Sequence, residues 1–123
     1  MISETEATER ADAHLVGYPA AVKDAYLEFS RTHEAALLRP VVLGILEFHL
    51  ARPPAQPVGL LPGSTRLVED LGCDSLTMVD TLFLAESLFS IRLGDDELAK
   101  VTTLDELMEH FQQHILRGPQ PAA

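Results

Sequence analysis

Hydrophobic side chains recur at helical spacing in several stretches of the chain, and the clearest stretch is the last. Thr103 and Glu106 form a capping box of the S/T-x-x-E type, which marks the start of a helix. Gly118 and Pro119 end the pattern. The apolar residues that follow the box at helical spacing are Leu104, Leu107, Met108, Phe111 and Ile115. A final helix with one buried face is therefore predicted.

Two more long helices are predicted upstream. From about Glu34 to Ala51, apolar pairs recur every four residues and form a broad stripe suited to burial. Pro40 lies in the first turn of this helix or kinks it. Asp74 is a good N-cap for a helix from Ser75 to about Phe89. The residues available for packing on this second helix are Leu76, Val79, Leu82, Phe83, Ala85 and Phe89.

The segments between these helices carry helix-breaking residues. Residues 52–63 contain four prolines and two glycines, which exclude a regular element and predict a long connection. We expect its own apolar residues, Val58, Leu60 and Leu61, to seal it against the rest of the domain. Gly94 breaks the helical pattern before a short acidic turn at residues 95–100.

The N-terminal part divides into two predicted segments. The first dozen residues are polar and show no apolar period, so residues 1–18 are expected to form a flexible leader. Pro19 then opens an extra amphipathic helix over residues 19–32, with one stripe of Val22, Ala25, Tyr26 and Phe29. We expect this stripe to pack on the bundle, because it would otherwise be exposed. Docking of a partner is the alternative.

The fold class follows from these elements. No segment shows the sustained alternation of a strand, and a chain of 123 residues suits one domain. We predict an all-α fold, a small four-helix bundle of three long helices and one short helix, with the extra helix in front. The bundle domain covers residues 33–117, and residues 118–123 form a flexible tail.

The charge of the chain narrows the classes of partner. Nineteen acidic and nine basic residues give a net charge of -10, and residues 64–110 contain eleven of the acids but three of the bases. So negative a surface repels nucleic acid and anionic membranes and attracts basic protein partners. Apolar residues make up 46% of the chain, which predicts a packed core.

Cysteine and histidine add little chemistry. Cys73 is the single cysteine, so no intrachain disulfide can form, and we expect it to pack a turn as a small hydrophobe. His110 and His114 lie at i, i+4 without a third ligand, and His49 is isolated, so no metal site is predicted. The first six residues lack the basic region and apolar stretch of a signal peptide, so none is expected, and no apolar run approaches about 20 residues. A monomer in the cytoplasm, without membrane insertion, is expected.

The candidate functional residue is Ser75, which follows a glycine turn at the start of a predicted helix. Backbone N–H groups are unpaired there and the helix dipole is positive, so a phosphate ester on this serine would be stabilised. The tripeptide Asp74-Ser75-Leu76 is weak support by itself, because Asp or Ser often begins a helix.

From Leu67 to about Ile115 the chain resembles the acyl carrier proteins, small acidic helical bundles that carry 4′-phosphopantetheine on the serine of a G-x-D-S-L motif. That motif stands here at residues 72–76. The resemblance extends to residues 68–71, Val79, Glu86, Phe89, Asp95, Asp96, Glu97 and residues 101–103.

The resemblance implies roles for three neighbouring residues. Ser75 would be the attachment point of 4′-phosphopantetheine, donated from coenzyme A. Asp74 would be the carboxylate that a phosphopantetheinyl transferase uses through its magnesium ion. Leu76 would lie beside the arm and help to hold partner enzymes. The bundle would shelter an acyl chain from water, a gain of about 0.8 kcal/mol per methylene.

The implied function is that of a carrier and not of an enzyme. The chain would hold acyl intermediates as thioesters and present them to acyl-transferring and acyl-condensing enzymes of fatty-acid, lipid or polyketide pathways. No catalytic residue of its own is implied. An aminoacyl or peptidyl carrier is an alternative, as is an unmodified helical adaptor whose Ser75 only begins a helix. A serine hydrolase is remote, because the chain lacks G-x-S-x-G and its strand.

Acidic residues on or beside the Ser75 helix are the expected contacts of partner enzymes, since rim charges steer encounters. They are Asp70, Asp80 and Glu86, although a merely solvated helix face explains each equally well. The helix also departs from the helix of typical family members. It has Thr77, Ser87 and Leu88 at positions where carboxylates are frequent in the family, and Phe83 and Leu84 make it more apolar than usual. These departures favour a specialised pathway.

Overall fold

The computed structural model of this protein describes residues 4–91 and 100–116. Five α-helices lie in these residues, joined by two short 3-10 helices at Ala35–Leu37 and Val58–Leu60. Within these residues, the one β-type pairing is an isolated bridge between Arg66 and Thr103. The predicted all-α bundle is confirmed. The helices are α1 (Glu4–His14), α2 (Ala20–Thr32), α3 (Leu38–His49), α4 (Ser75–Phe89) and α5 (Leu104–Leu116).

The prediction of a flexible leader is wrong over the length of α1. Ala7 and Ala11, one helical turn apart, are both buried, and Leu15 is buried just after the helix. The helix lies against α2 and α4. Small side chains allow this close approach, but they give no strong hydrophobic period, so the polar composition of the segment concealed the helix.

Helix α2 confirms the predicted amphipathic helix. Pro19 stands at its N-cap position, and His33 ends it in the left-handed conformation with φ of 60°. Val22, Tyr26 and Phe29 are buried, so the apolar stripe packs within the protein. Helices α1 and α2 together form a helical hairpin, which we call the N-terminal hairpin.

Helix α3 is shorter than predicted and lies at the centre of the fold. It is preceded by the 3-10 helix, and Pro40 lies in its first turn, where a missing N–H costs nothing. At Gly44 an added Cβ would approach a methyl carbon of Val22 to 2.5 Å, so α2 crosses α3 at this point. Buried side chains lie on both sides of α3: Leu38, Val41, Val42, Leu43, Ile45 and Leu46.

Helix α3 is buried on both sides because it separates two apolar cores. The main core joins α3, α4 and α5 and includes Leu46, Leu82, Leu107 and Phe111. The second core lies under the N-terminal hairpin, and its members are Ala7, Ala11, Leu15, Val22, Tyr26, Val41, Ile45 and Leu88. The hairpin is thus an integral part of the fold.

The connection between α3 and α4 is sealed less completely than predicted. Val58 is buried, and its N–H donates to Oε1 of Glu47 at 2.6 Å. Leu61 is half-buried, but Leu60 is 72% exposed, so its expected sealing role is wrong. The turn of Val58–Leu60 directs only its first side chain toward the core.

The capping box of α5 is confirmed. The Glu106 N–H donates to Oγ1 of Thr103 at 3.2 Å, and the Thr103 N–H donates to Oε1 of Glu106 at 3.1 Å. The five predicted apolar residues of α5 are all buried. The predicted acidic turn at residues 95–100 lies outside the described residues except for Lys100. The predicted tail at 118–123, with Gly118 and Pro119, lies outside them as well.

Candidate functional site

The segment that leads into α4 is held in place by backbone hydrogen bonds. The N–H of Leu67, a buried residue, donates to the carbonyl of Thr102 at 2.9 Å, and the Cys73 N–H donates to the carbonyl of Leu67 at 2.9 Å. Gly72 takes a φ of 71°, which glycine adopts without strain. The segment is therefore anchored to the start of α5 and turns sharply just before α4.

Asp74 caps helix α4, as predicted. Its Oδ1 accepts the N–H of Thr77 at 2.8 Å, and this hydrogen bond holds the pKa of the Asp74 carboxyl below its usual value. Ser75 is the first residue of the helix, and its side chain is exposed. The capping role thus belongs to Asp74, and the side chain of Ser75 lies at the surface.

Cys73 has the packing role that its sequence context predicted. The side chain is buried, and burial raises the pKa of its thiol to about 11, with the neighbouring Asp74 charge acting in the same direction. The thiol is therefore protonated at neutral pH.

Asp70 is used within the turn before α4. Its Oδ2 accepts the Arg66 N–H at 2.8 Å, and its Oδ1 lies 3.3 Å from the Arg66 guanidinium. These bonds to Arg66 lower the pKa of the Asp70 carboxyl. The carboxylate is nevertheless exposed, so its predicted contact with partners stays a prediction.

Asp80 belongs to a polar cluster that the sequence did not reveal. The hydroxyl of Tyr18 lies 2.7 Å from Nε2 of His49, and Nδ1 of His49 lies 3.9 Å from Oδ2 of Asp80. The pKa of Tyr18 is raised by burial and then by the negative charge of Asp80. The Thr77 hydroxyl donates to the His49 carbonyl at 3.3 Å. His49, expected to be isolated, therefore joins three elements.

Three apolar residues expected to pack are instead exposed on α4. Leu76 is 65% exposed, Val79 is 38% exposed and Phe83 is 61% exposed. They follow one another at i, i+3 and i+7, which places them on one side of the helix. We call this set the exposed stripe. Leu82 and Ala85, on the other side, are buried in the main core as predicted.

The predicted partner contacts are spread along α4 and are not clustered. With a rise of about 1.5 Å per residue, Asp80 lies about 7.5 Å along the axis from Ser75, and Glu86 lies about 16 Å away. Both are half-buried. Asp70 and Asp74 adjoin Ser75 through the anchored turn. Ser75, Asp74 and Leu76 are thus together, whereas Glu86 belongs to the far end of the helix.

Two of the departures from typical acyl carrier proteins are explained by packing. Thr77 is buried, and its N–H and hydroxyl are both bonded. Leu88 is buried in the second core beneath the N-terminal hairpin. A carboxylate at either position would be buried at considerable cost. Ser87 and Phe83, by contrast, are exposed.

A groove of about 550 Å³ lies beside the turn at Gly72. Arg52 and Leu61 from the long connection line it on one side, and Leu71 and Gly72 line it on the other. In the described residues, 4–91 and 100–116, there is no cluster of three or more His, Cys, Asp and Glu side chains suited to a metal ion.

Comparison with known proteins finds acyl carrier proteins among the relatives of this chain. An acyl carrier protein of Thermotoga maritima is 32% identical over 50 residues, 41% of this chain and 62% of the relative. Acyl carrier proteins of Desulforapulum autotrophicum and Phytoplasma mali are 36% and 35% identical over 47 and 49 residues, 38% and 40% of this chain. The resemblance to acyl carrier proteins is confirmed.

The similarity to acyl carrier proteins is partial in extent. The chain spans between 58% and 62% of the length of these three acyl carrier proteins. No family model matches the chain, and no solved structure matches it. None of the helices in the described part of the chain is long and apolar enough to cross a membrane.

Proposed function

We propose that this chain is an acyl carrier that bears 4′-phosphopantetheine on Ser75. The observation that carries the proposal is that Asp74 caps α4 while the side chain of Ser75 is exposed. The start of a helix leaves several backbone N–H groups without partners in the helix. Asp74 accepts one of them, from Thr77, so Ser75 is not needed as a cap. An exposed hydroxyl at this position, within a G-x-D-S-L motif, suits a covalent attachment.

The residues around Ser75 fit the phosphopantetheine group. Its phosphate would lie at the positive end of the α4 dipole, where anions are stabilised. The groove beside Gly72 offers room for an extended arm, and its wall carries Arg52 together with the carboxylates of Glu69 and Asp70. The adjacent Asp74 carboxylate is the group that we assign to the magnesium ion of the modifying transferase. Ser75 Oγ attacks the phosphorus on the pantetheine side of the coenzyme A pyrophosphate. A phosphodiester forms at Ser75, the pyrophosphate bond breaks, 3′,5′-ADP leaves, and the hydroxyl proton passes to a base of the transferase.

In this proposal the chain itself performs no acyl chemistry. The thiol of the bound arm holds the acyl chain as a thioester, and partner enzymes transfer or condense it. The described main core is filled by buried side chains such as Leu46, Leu82 and Phe111, so an acyl chain can enter only where these move apart. Each methylene sheltered in this way gains about 0.8 kcal/mol.

The pathway that we propose is a specialised one, in the cytoplasm, where coenzyme A is available to the transferase. Phe83 and the N-terminal hairpin support this proposal, because both alter the surface that surrounds the carrier helix. Thr77 and Leu88 are buried, and packing explains why carboxylates are absent at these two positions. These two residues therefore do not support a specialised pathway.

The test is the mass of the intact protein after incubation with coenzyme A and a phosphopantetheinyl transferase of broad specificity. The wild type should gain one phosphopantetheine, and Ser75→Ala should gain none. Ser87→Ala removes another exposed serine of α4 and should keep the full gain. A wild type that gains no mass would show that the chain is an unmodified helical module, and a gain that survives Ser75→Ala would show that Ser75 is not the attachment site.

A further inference from the structure

The turn between α1 and α2 lies at the same end of the bundle as Ser75. Tyr18, in this turn, pairs with the His49 ring, and the His49 carbonyl accepts the Thr77 hydroxyl. The Thr77 N–H in turn donates to Asp74. Through the covalent frames of His49 and Thr77, these hydrogen bonds link the turn of the hairpin to Asp74, the residue that precedes Ser75.

Two apolar side chains at this end of the bundle are exposed. The Tyr18 N–H donates to the Leu15 carbonyl at 3.1 Å, and Gly17 has the positive φ, 86°, required at the third position of a type II turn. Val16 therefore stands at the corner of the turn, where it is 76% exposed. Phe48, at the end of α3, is 48% exposed and stacks on Tyr18 with ring centroids 3.9 Å apart.

Charge around Ser75 indicates which kind of protein would cover these apolar groups. Exposed carboxylates stand at Glu69, Asp70 and Asp74, and Asp80 contacts the His49 ring beside Phe48. An enzyme that brings coenzyme A to Ser75 must bind the phosphates of that donor, and so it has basic groups at its entrance. The carboxylates of this chain complement such an entrance.

We propose that Val16 and Phe48 extend the exposed stripe into one docking surface for the phosphopantetheinyl transferase that modifies Ser75. This inference rests on the proposed carrier function. The N-terminal hairpin would thus contribute directly to recognition, in addition to its packing on α3 and α4. The matching face of the transferase is an apolar depression with a basic rim.

The test is the steady-state kinetics of a broad-specificity transferase with this chain as the varied substrate. Val16→Ser and Phe48→Ser should each raise KM about five- to tenfold and leave kcat within about twofold, because they remove contacts made before the chemical step. Val16→Ile retains an apolar side chain at the same corner and should keep the wild-type KM. Circular dichroism melts show whether each variant is folded.

The outcomes separate this inference from the carrier function. If Val16→Ser keeps the wild-type KM while Ser75 is still modified, the hairpin is not part of the docking surface and the carrier function stands. If wild-type Ser75 is never modified, both proposals fall. Val16 is so exposed that its substitution should not unfold the protein, so the pair Val16→Ser and Val16→Ile decides the question even if Phe48→Ser is unstable.

Discussion

The two ends of helix α4 are covered very differently. At the Ser75 end, the exposed stripe of Leu76, Val79 and Phe83 faces solvent. At the far end, Leu88 is fully buried beneath α1 and α2. Apolar residues lie on every side of this helix, a composition that normally indicates burial all round. The N-terminal hairpin supplies that burial for only one end.

The hairpin also completes the backbone hydrogen bonding of the far end. The last carbonyls of a helix have no partner within the helix. The Leu88 carbonyl accepts the Tyr26 hydroxyl at 2.5 Å and lies 3.4 Å from the Arg10 guanidinium. The far end of α4 is therefore structural, whereas the Ser75 end remains open to other molecules.

Removal of the N-terminal hairpin, which covers only the far end of α4, should have the largest effect on stability. A truncated chain that begins at Thr32 loses Tyr26 and Phe29, and it exposes Val41, Ile45 and Leu88 to water. Each large aliphatic side chain contributes about 1.5–3 kcal/mol on burial, so we expect Tm to fall by at least about 10 °C. Thermal melts and limited proteolysis measure the change. An unaltered melt with unaltered resistance to protease would mean that the hairpin has no structural role.

A matched pair of leucine substitutions on α4 sharpens the comparison. Leu88→Ala should lower the free energy of unfolding by about 2–5 kcal/mol, because it leaves a cavity in the second core. Leu76→Ala should change it by less than about 0.5 kcal/mol, since that side chain is exposed. Urea denaturation of both variants gives the two values. Equal losses would refute the contrast between the ends of the helix.

The smallest of these effects on stability should come from Asp74, at the Ser75 end of α4, and it should depend on pH. The pKa of Asp74 is lowered in the folded protein by the Thr77 N–H. Its contribution to stability is therefore present at neutral pH and is lost as the pH falls below about 4, through the lowered pKa. Asp74→Asn still caps the helix but does not titrate at this position.

The measurement for Asp74 is the urea midpoint of both proteins between about pH 7 and pH 3. The wild type should lose more stability than Asp74→Asn over this range. Asp70 and Glu106, whose pKa values are also lowered, titrate in both proteins and cancel in the difference. Parallel pH profiles would show that the Asp74 charge does not stabilise the start of α4.

Local signals in the sequence were enough to locate α4 and α5. Asp74 at the N-cap and the box formed by Thr103 and Glu106 act through hydrogen bonds within three residues. The formation of such short-range hydrogen bonds does not depend on how distant parts of the chain pack. The candidate site, Asp74-Ser75-Leu76, is likewise continuous in sequence, and these residues lie at the start of α4.

Local signals failed where a contact joins distant parts of the chain. Helix α1 has a face of small residues that includes Ala7 and Ala11. This face stabilises the helix only when α2 and α4 pack against it. The cluster of Tyr18, His49 and Asp80 joins three elements, and no spacing within the sequence connects these residues.

The sequence by itself therefore determined the helical class of this protein, the start of α4 and the serine that α4 presents. Only the tertiary structure decided which apolar residues of α4 are covered. The reason is that hydrophobic burial is non-directional: Phe83 and Leu88 have the same tendency to leave water, and the position of the N-terminal hairpin decides which of them does.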